Sequence, residues 1–111
     1  MNNDRTSAID LAQNVRNNVI TAADVIEEHL AHIVERDGEI HAFNLVLADE
    51  ARARAAEIDG MVTAGRDPGP LAGVPVALKD NMCTQGIPTT CSSKILADWR
   101  PPYDATVVTR L

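Results

Sequence analysis

Aromatic side chains are scarce in this chain: one Phe, one Trp and one Tyr among 111 residues, or 3%. Any core must therefore be aliphatic, assembled from Val, Ile, Leu and Ala. Two cysteines, Cys83 and Cys91, are too few for a disulfide framework and suit a reducing compartment. No apolar run approaches the roughly 20 residues needed to cross a bilayer. The opening MNNDRTSAID also lacks the charged, then apolar, then small-residue order of a secretory signal, so a cytoplasmic location is expected. Lysine is nearly absent, with Lys79 and Lys94 the two examples. No basic stripe exists to follow a phosphate backbone, which argues against nucleic-acid binding by this segment.

What remains is ordinary for a soluble globular protein: 45% hydrophobic and 23% charged residues, in a length that fits one small domain. The formal charge of −6 is unevenly spread. Residues 1–66 carry twelve Asp and Glu against six Arg, whereas residues 67–111 carry four acidic and four basic side chains. Such an acidic balance usually means a solvated surface.

The pattern predicts helices first and an extended region after them. Ile9, Ala12, Val15 and Val19 recur at helical spacing over residues 7–19, and Asn17-Asn18 marks an end. Thr21, with Asp24 three residues on, reads as the N-cap of a second helix. Val25, Ile26, Leu30, Ile33 and Val34 share one side of it, and Asp37-Gly38 is expected to close it. A third helix over about 48–64 aligns Leu47, Ala51, Ala55, Ile58 and Val62, with Glu50 and Arg54 spaced for an exposed ion pair. GRDPGP at 65–70 is loop chemistry. Val74, Val76, Ala77 and Leu78 then predict a short strand of the kind covered on both faces, with Pro75 near its start or on an unpaired side. A long irregular region with Gly86, Pro88, Thr89, Thr90, Ser92 and Ser93 follows Lys79-Asp80-Asn81, and segments of that kind tend to carry function. Asp104 reads as an N-cap to ATVVTRL. One strand cannot make a sheet, so the chain is expected to be the first part of a longer fold.

Several candidate chemistries compete with plainer roles. His29 and His32 on one helix face could share a metal with Glu28, but no distant fourth ligand accompanies them. Cys83 and Cys91 lack a neighbouring His, and incidental thiols account for them. Ser92 and Ser93 lack the Gly-x-Ser-x-Gly turn that exposes a nucleophilic hydroxyl, and loop hydrogen bonding explains them. Glycines 65, 69 and 73 precede the expected strand, whereas a phosphate loop follows its strand. Val76-Ala77-Leu78-Lys79 matches the strand lysine of protein kinases, but a helical Ala- and Arg-rich stretch stands where the Gly-rich hairpin should be.

A lysine at a strand end is generically a solvated charge. The residues around Lys79 say otherwise. GPLAGVPVALKDNMCTQGIPTTCSSKIL, followed by PPYDATVVTRL, resembles the amidase signature family. Within it, PTTCSSKIL and PYDATVV resemble the A-subunit branch of the glutamyl-tRNA(Gln)/aspartyl-tRNA(Asn) amidotransferases. The likeness is strong over residues 69–111, and the helical layout of residues 7–66 agrees with it. In that family the lysine ending the GVPVALK strand belongs to a Ser–cis-Ser–Lys triad, and the matching residue is Lys79. The resemblance places both serines in a Gly/Ser-rich segment beyond residue 111, so neither Ser92 nor Ser93 stands in for them.

The resemblance implies an α/β fold class: the N-terminal part of the amidase signature fold, helices followed by the first strand of a mixed central sheet. Residues 1–111 would form one portion of a single domain, 1–66 helical and 67–111 holding the strand and active-site loops. The implied reaction is hydrolysis of glutamine's side-chain amide, with ammonia passed to a partner for transamidation of mischarged tRNA. The implied partners are the B and C subunits, which also provide the contact with tRNA, and no membrane is involved. ATP and Mg belong to the partner's reaction, and this segment holds no cofactor or metal. A lysine acting as a base near neutral pH must be largely uncharged, which burial at an apolar strand end favours. Asp80 and Asn81 are expected to shape the turn and hold the loop. A triad lacking its serines makes this stretch inactive by itself. The alternatives are a stand-alone amidase of the same family and a non-catalytic helical interaction segment.

Overall fold

A computed structural model describes residues 6–111, and the first five residues of the expected helical part lie outside the described residues. The chain forms two compact units, Met1–Pro75 and Val76–Leu111.

The first unit is built on three helices. Helix α1, Ala8–Arg16, starts at Ser7, whose Oγ accepts from the Asp10 N–H at 3.1 Å. It ends where Asn18 turns left-handed at φ 57° and the Val19 N–H reaches back to the Asn14 carbonyl at 2.9 Å, as Asn17-Asn18 led us to expect. Helix α2, Ala22–Ile40, opens with the expected cap, the Asp24 N–H donating to Thr21 Oγ1 at 3.0 Å. A second cap comes from a distance. Asp59 accepts from the Ala22 and Ala23 N–H groups at 2.7 and 3.0 Å. Helix α3, Ala48–Thr63, holds Asp59 and stops at Gly65, φ +71°, with the Arg66 N–H bonded to the Met61 carbonyl at 2.9 Å.

Helices α2 and α3 pack side by side, and α1 contacts α3. The core is aliphatic, as expected: Leu11, Val15, Ala22, Val25, Ala55, Ile58 and Ala72 are buried together, with Ile20, Ile26, Val62 and Val74 half-buried around them. Complete burial of a Val, Leu or Ile side chain stabilises by about 1.5–3 kcal/mol. Outside the core, the Arg52 guanidinium on α3 takes the Glu27 carboxylate of α2 in a two-point contact at 2.5 and 3.1 Å. Gly73 is fixed by space and backbone alike. Its φ is +71°, and a Cβ there would meet Val15 Cγ2 at 2.9 Å and the Ala22 Cβ at 3.2 Å.

The second unit has little regular structure: a 3-10 turn at Lys94–Leu96 and a short helix α4, Thr106–Arg110. Its remainder is two irregular segments running antiparallel. The Gly86 N–H donates to the Pro101 carbonyl at 2.9 Å, Thr89 N–H to the Trp99 carbonyl at 3.2 Å, and Ala105 N–H to the Cys83 carbonyl at 2.7 Å. Arg100 Nη1 donates to the Gly86 carbonyl at 2.7 Å. Thr89 and Pro101 are the buried residues of this unit.

Four expectations need correction. Residues 74–78 are extended but form no strand, since no ladder exists among the described residues, and the α/β reading has no sheet here to rest on. Helix α2 runs through Asp37-Gly38 to Ile40, because His41 adopts the left-handed conformation (φ 54°) and the Asp37 side chain caps the exit by accepting from the Ala42 N–H at 2.7 Å. Arg54 pairs with Glu57 at 2.7 Å, one turn on, in place of Glu50. Asp104 does not cap the last helix, because its Oδ1 accepts from the Gln85 N–H at 2.7 Å, and Ala105 stands at the cap position.

Candidate active site

Lys79 lies in the second unit, at the end of the extended residues 76–78. Its carbonyl accepts from the Met82 N–H at 3.0 Å, closing a turn over 79–82. Val76, Ala77, Leu78 and Lys79 are all exposed, Val76 by 51% and Leu78 by 38%. The apolar enclosure expected around this lysine is therefore not provided by the residues described.

Asp80 organises what surrounds the turn. Its Oδ1 accepts from the Thr90 N–H at 2.8 Å, its Oδ2 accepts from the Thr90 hydroxyl, and its carbonyl accepts from the Cys91 N–H at 2.8 Å. Thr90 passes the order onward, since its Oγ1 accepts from the Ser92 N–H at 3.2 Å and its carbonyl from the Ser93 N–H at 2.8 Å. Within this frame Cys91 and Ser92 are consecutive left-handed residues, φ 50° and 58°. Non-glycine residues rarely sit there; each costs about 1–3 kcal/mol and persists only where its surroundings hold it. The sequence led us to expect that Asp80 and Asn81 shape the turn and hold the loop, and it is Asp80 that accepts the bonds from Thr90 and Cys91. Its partner, Thr90, was not legible, because nothing in the intervening residues signals the pairing.

The other candidates are dispersed. Lys94 starts the exposed 3-10 turn. Ser92 is exposed and Ser93 half-buried, and both backbone N–H groups are tied to Thr90. His29 on α2 places Nδ1 2.8 Å from the Val25 carbonyl, so that ring nitrogen donates to its own helix. No group of three or more His, Cys, Asp or Glu among the described residues is arranged to hold a metal. Both cysteines are free thiols. Cys83 Sγ lies 3.8 Å from the Tyr103 hydroxyl, and that contact raises the phenol above its usual range, chiefly by hydrogen bonding, then by charge. No helix among the described residues is long and apolar enough to cross a membrane.

Comparison with known proteins gives a consistent picture. The family described as Amidase matches residues 24–111. The chain is 48% identical over 107 residues to the A subunit of glutamyl-tRNA(Gln) amidotransferase from Acidothermus cellulolyticus, spanning 96% of this chain and 21% of that protein. It is 50% identical over 105 residues to the corresponding protein of Salinispora tropica, spanning 95% and 21%. For the counterpart in Gloeobacter violaceus the identity is 46% over 106 residues, spanning 96% and 22%. The chain thus corresponds to about a fifth of the length of these relatives. Among solved structures, it superposes with a TM-score of 0.89 and 34% identity on a chain reported with "an unexpected vestigial protein complex" that "reveals the evolutionary origins of an s-triazine catabolic enzyme". That likeness covers 95% of this chain and 23% of the other.

Proposed function

Because the chain belongs to the amidase family, we propose that it supplies the lysine of an amidase triad to the glutamine-hydrolysing component of an amidotransferase. Two serines outside residues 1–111 complete the site. The hydroxyl of one attacks the side-chain carbonyl carbon of glutamine, and its proton passes through the second serine to the Lys79 amine. That proton is returned to the departing nitrogen, which leaves as ammonia as the ester forms, and water then cleaves the acyl-enzyme to glutamate. The ammonia goes to a partner that activates mischarged glutamyl- or aspartyl-tRNA with ATP and Mg. The B and C subunits would complete the assembly in the cytoplasm.

The observation that carries this reading is the likeness to amidotransferase A subunits over nearly all of the chain. The exposure of Val76, Leu78 and Lys79 agrees with it, since the rest of an amidase domain would cover these residues and desolvate the lysine. The test is glutaminase turnover by the full-length protein with its partner subunits. Lys79→Ala should lower kcat by about 10²- to 10⁴-fold, the usual loss on removing a proton-transfer group, while Lys94→Ala leaves it within a few fold. Equal losses in both variants would overturn the assignment.

The alternative expected from the sequence is a stand-alone amidase of the same family. Turnover of other small amides without partner subunits, exceeding turnover of glutamine, would select it.

A further inference from the structure

We propose that Asp80 is a positioning residue for Lys79, acting through Thr90 to fix the backbone from which the lysine side chain departs. The inference rests on the amide-hydrolysis reading above. In a unit with no sheet ladder among its described residues, something else must set the backbone at 79–81. Beside the Met82 N–H bond to the Lys79 carbonyl, the bonds at hand are those of Asp80: two from Thr90 to its carboxylate and one from the Cys91 N–H to its carbonyl. Asp80 and Thr90 are both half-buried, which spares these bonds from full competition with water. A carboxylate acceptor also makes the two bonds from Thr90 stronger than neutral hydrogen bonds.

The network extends in one direction, from the Ser92 N–H to Thr90 Oγ1 and from the Thr90 hydroxyl to Asp80 Oδ2. It thereby holds Cys91 and Ser92 in the left-handed region. Strain of that kind persists where surrounding contacts over-determine the backbone, and it concentrates at functional sites. Removing the Asp80 carboxylate leaves the Lys79 and Asp80 carbonyls to the Met82 and Cys91 N–H groups alone and loosens the backbone beside the lysine. A displacement of about 1 Å at a catalytic group can cost about 10²-fold in rate, so the effect should appear in turnover.

The experiment measures kcat and KM for glutamine in the full-length enzyme with its partner subunits, beside thermal stability. Asp80→Ala should lower kcat by about 10- to 100-fold, with KM within about threefold, on the same positional argument. Thr90→Val removes the hydroxyl while keeping the shape, and should lower kcat in the same direction. Thr90→Ser, which restores the hydroxyl, should recover most of that loss. Should Asp80→Ala fail to fold, the Thr90 pair still decides the matter. A kcat for Asp80→Ala or Thr90→Val equal to wild type, or a Thr90→Ser variant as slow as Thr90→Val, would overturn the proposal. Losses in kcat matched entirely by loss of folded protein would overturn it too. Lys79→Ala measured in parallel separates the two readings. If that variant is inactive while Asp80→Ala is unaffected, only the positioning role is wrong. If Lys79→Ala keeps wild-type turnover, the triad assignment falls and the positioning role with it.

Discussion

Gly73→Ala tests whether the backbone after the helices is seated on them as tightly as the distances say. The new Cβ would lie 2.9 Å from Val15 Cγ2, 3.3 Å from Val15 Cγ1 and 3.2 Å from the Ala22 Cβ. Val15 is only 1% exposed and, being β-branched, has few rotamers to retreat into. The Ala22 Cβ is fixed to the start of α2. Overlap of this kind costs about 1–3 kcal/mol. The left-handed backbone adds about 1–2 kcal/mol for any residue with a Cβ. Gly65 provides a control, because it shares the same φ of +71° but has nothing within 4 Å of its would-be Cβ. Gly65→Ala should therefore carry the backbone cost alone. Native-state hydrogen exchange at the Val15 and Val25 amides reads the difference directly. At about 1.4 kcal/mol per tenfold, exchange in Gly73→Ala should run roughly ten to a hundred times faster than in Gly65→Ala. Adding Val15→Ala removes both Cγ contacts, so the double variant should cost at least about 0.5 kcal/mol less than the sum of the single ones. Equal exchange in Gly73→Ala and Gly65→Ala would refute the steric argument.

Burial and charge support two further expectations. Residues 6–75 enclose an aliphatic cluster while the second unit buries Thr89 and Pro101, so urea should disorder the surroundings of Trp99 before the helices melt. Coincident transitions by tryptophan fluorescence and far-ultraviolet circular dichroism of residues 1–111 would contradict this. At the α2–α3 contact, the hydrogen bond from Arg52 holds the Glu27 carboxyl below its usual 4.5, so its contribution to stability is present above that value and lost as pH falls through the lower folded-state value. The stability gap between wild type and Glu27→Gln should thus close in acid, and a gap that persists with Glu27 protonated would show that the ion pair is not its source.

The three helices were legible because each carries apolar residues at helical spacing, although Ile9, Val19 and Val34 from those sets are exposed, and because Thr21 and Asn17-Asn18 carry their end signals locally. The strand was not, since Val74 to Leu78 supply the composition of a strand but a ladder needs a second segment. Gly38 misled for a related reason: a glycine can end a helix only if the chain turns there, and His41 turned it instead. Asp104 has the chemistry of a cap and a competing donor in Gln85, nineteen residues away. At the candidate site, the type and place of Lys79 were legible from the residues beside it. Its exposure was not, and neither was Thr90 as the partner of Asp80, because both depend on what folds against them.

The bond from the first turn of α2 to Asp59 joins residues 37 positions apart. An isolated helix must pay its own nucleation cost, and short ones are marginal in water. Here part of that cost is met by a side chain that is not in place until α3 has docked. The two helices therefore cannot form one after the other at full strength. At the start of α2, Thr21 caps the Asp24 N–H from within the helix's own sequence, whereas the Ala22 and Ala23 N–H groups depend on a residue of α3.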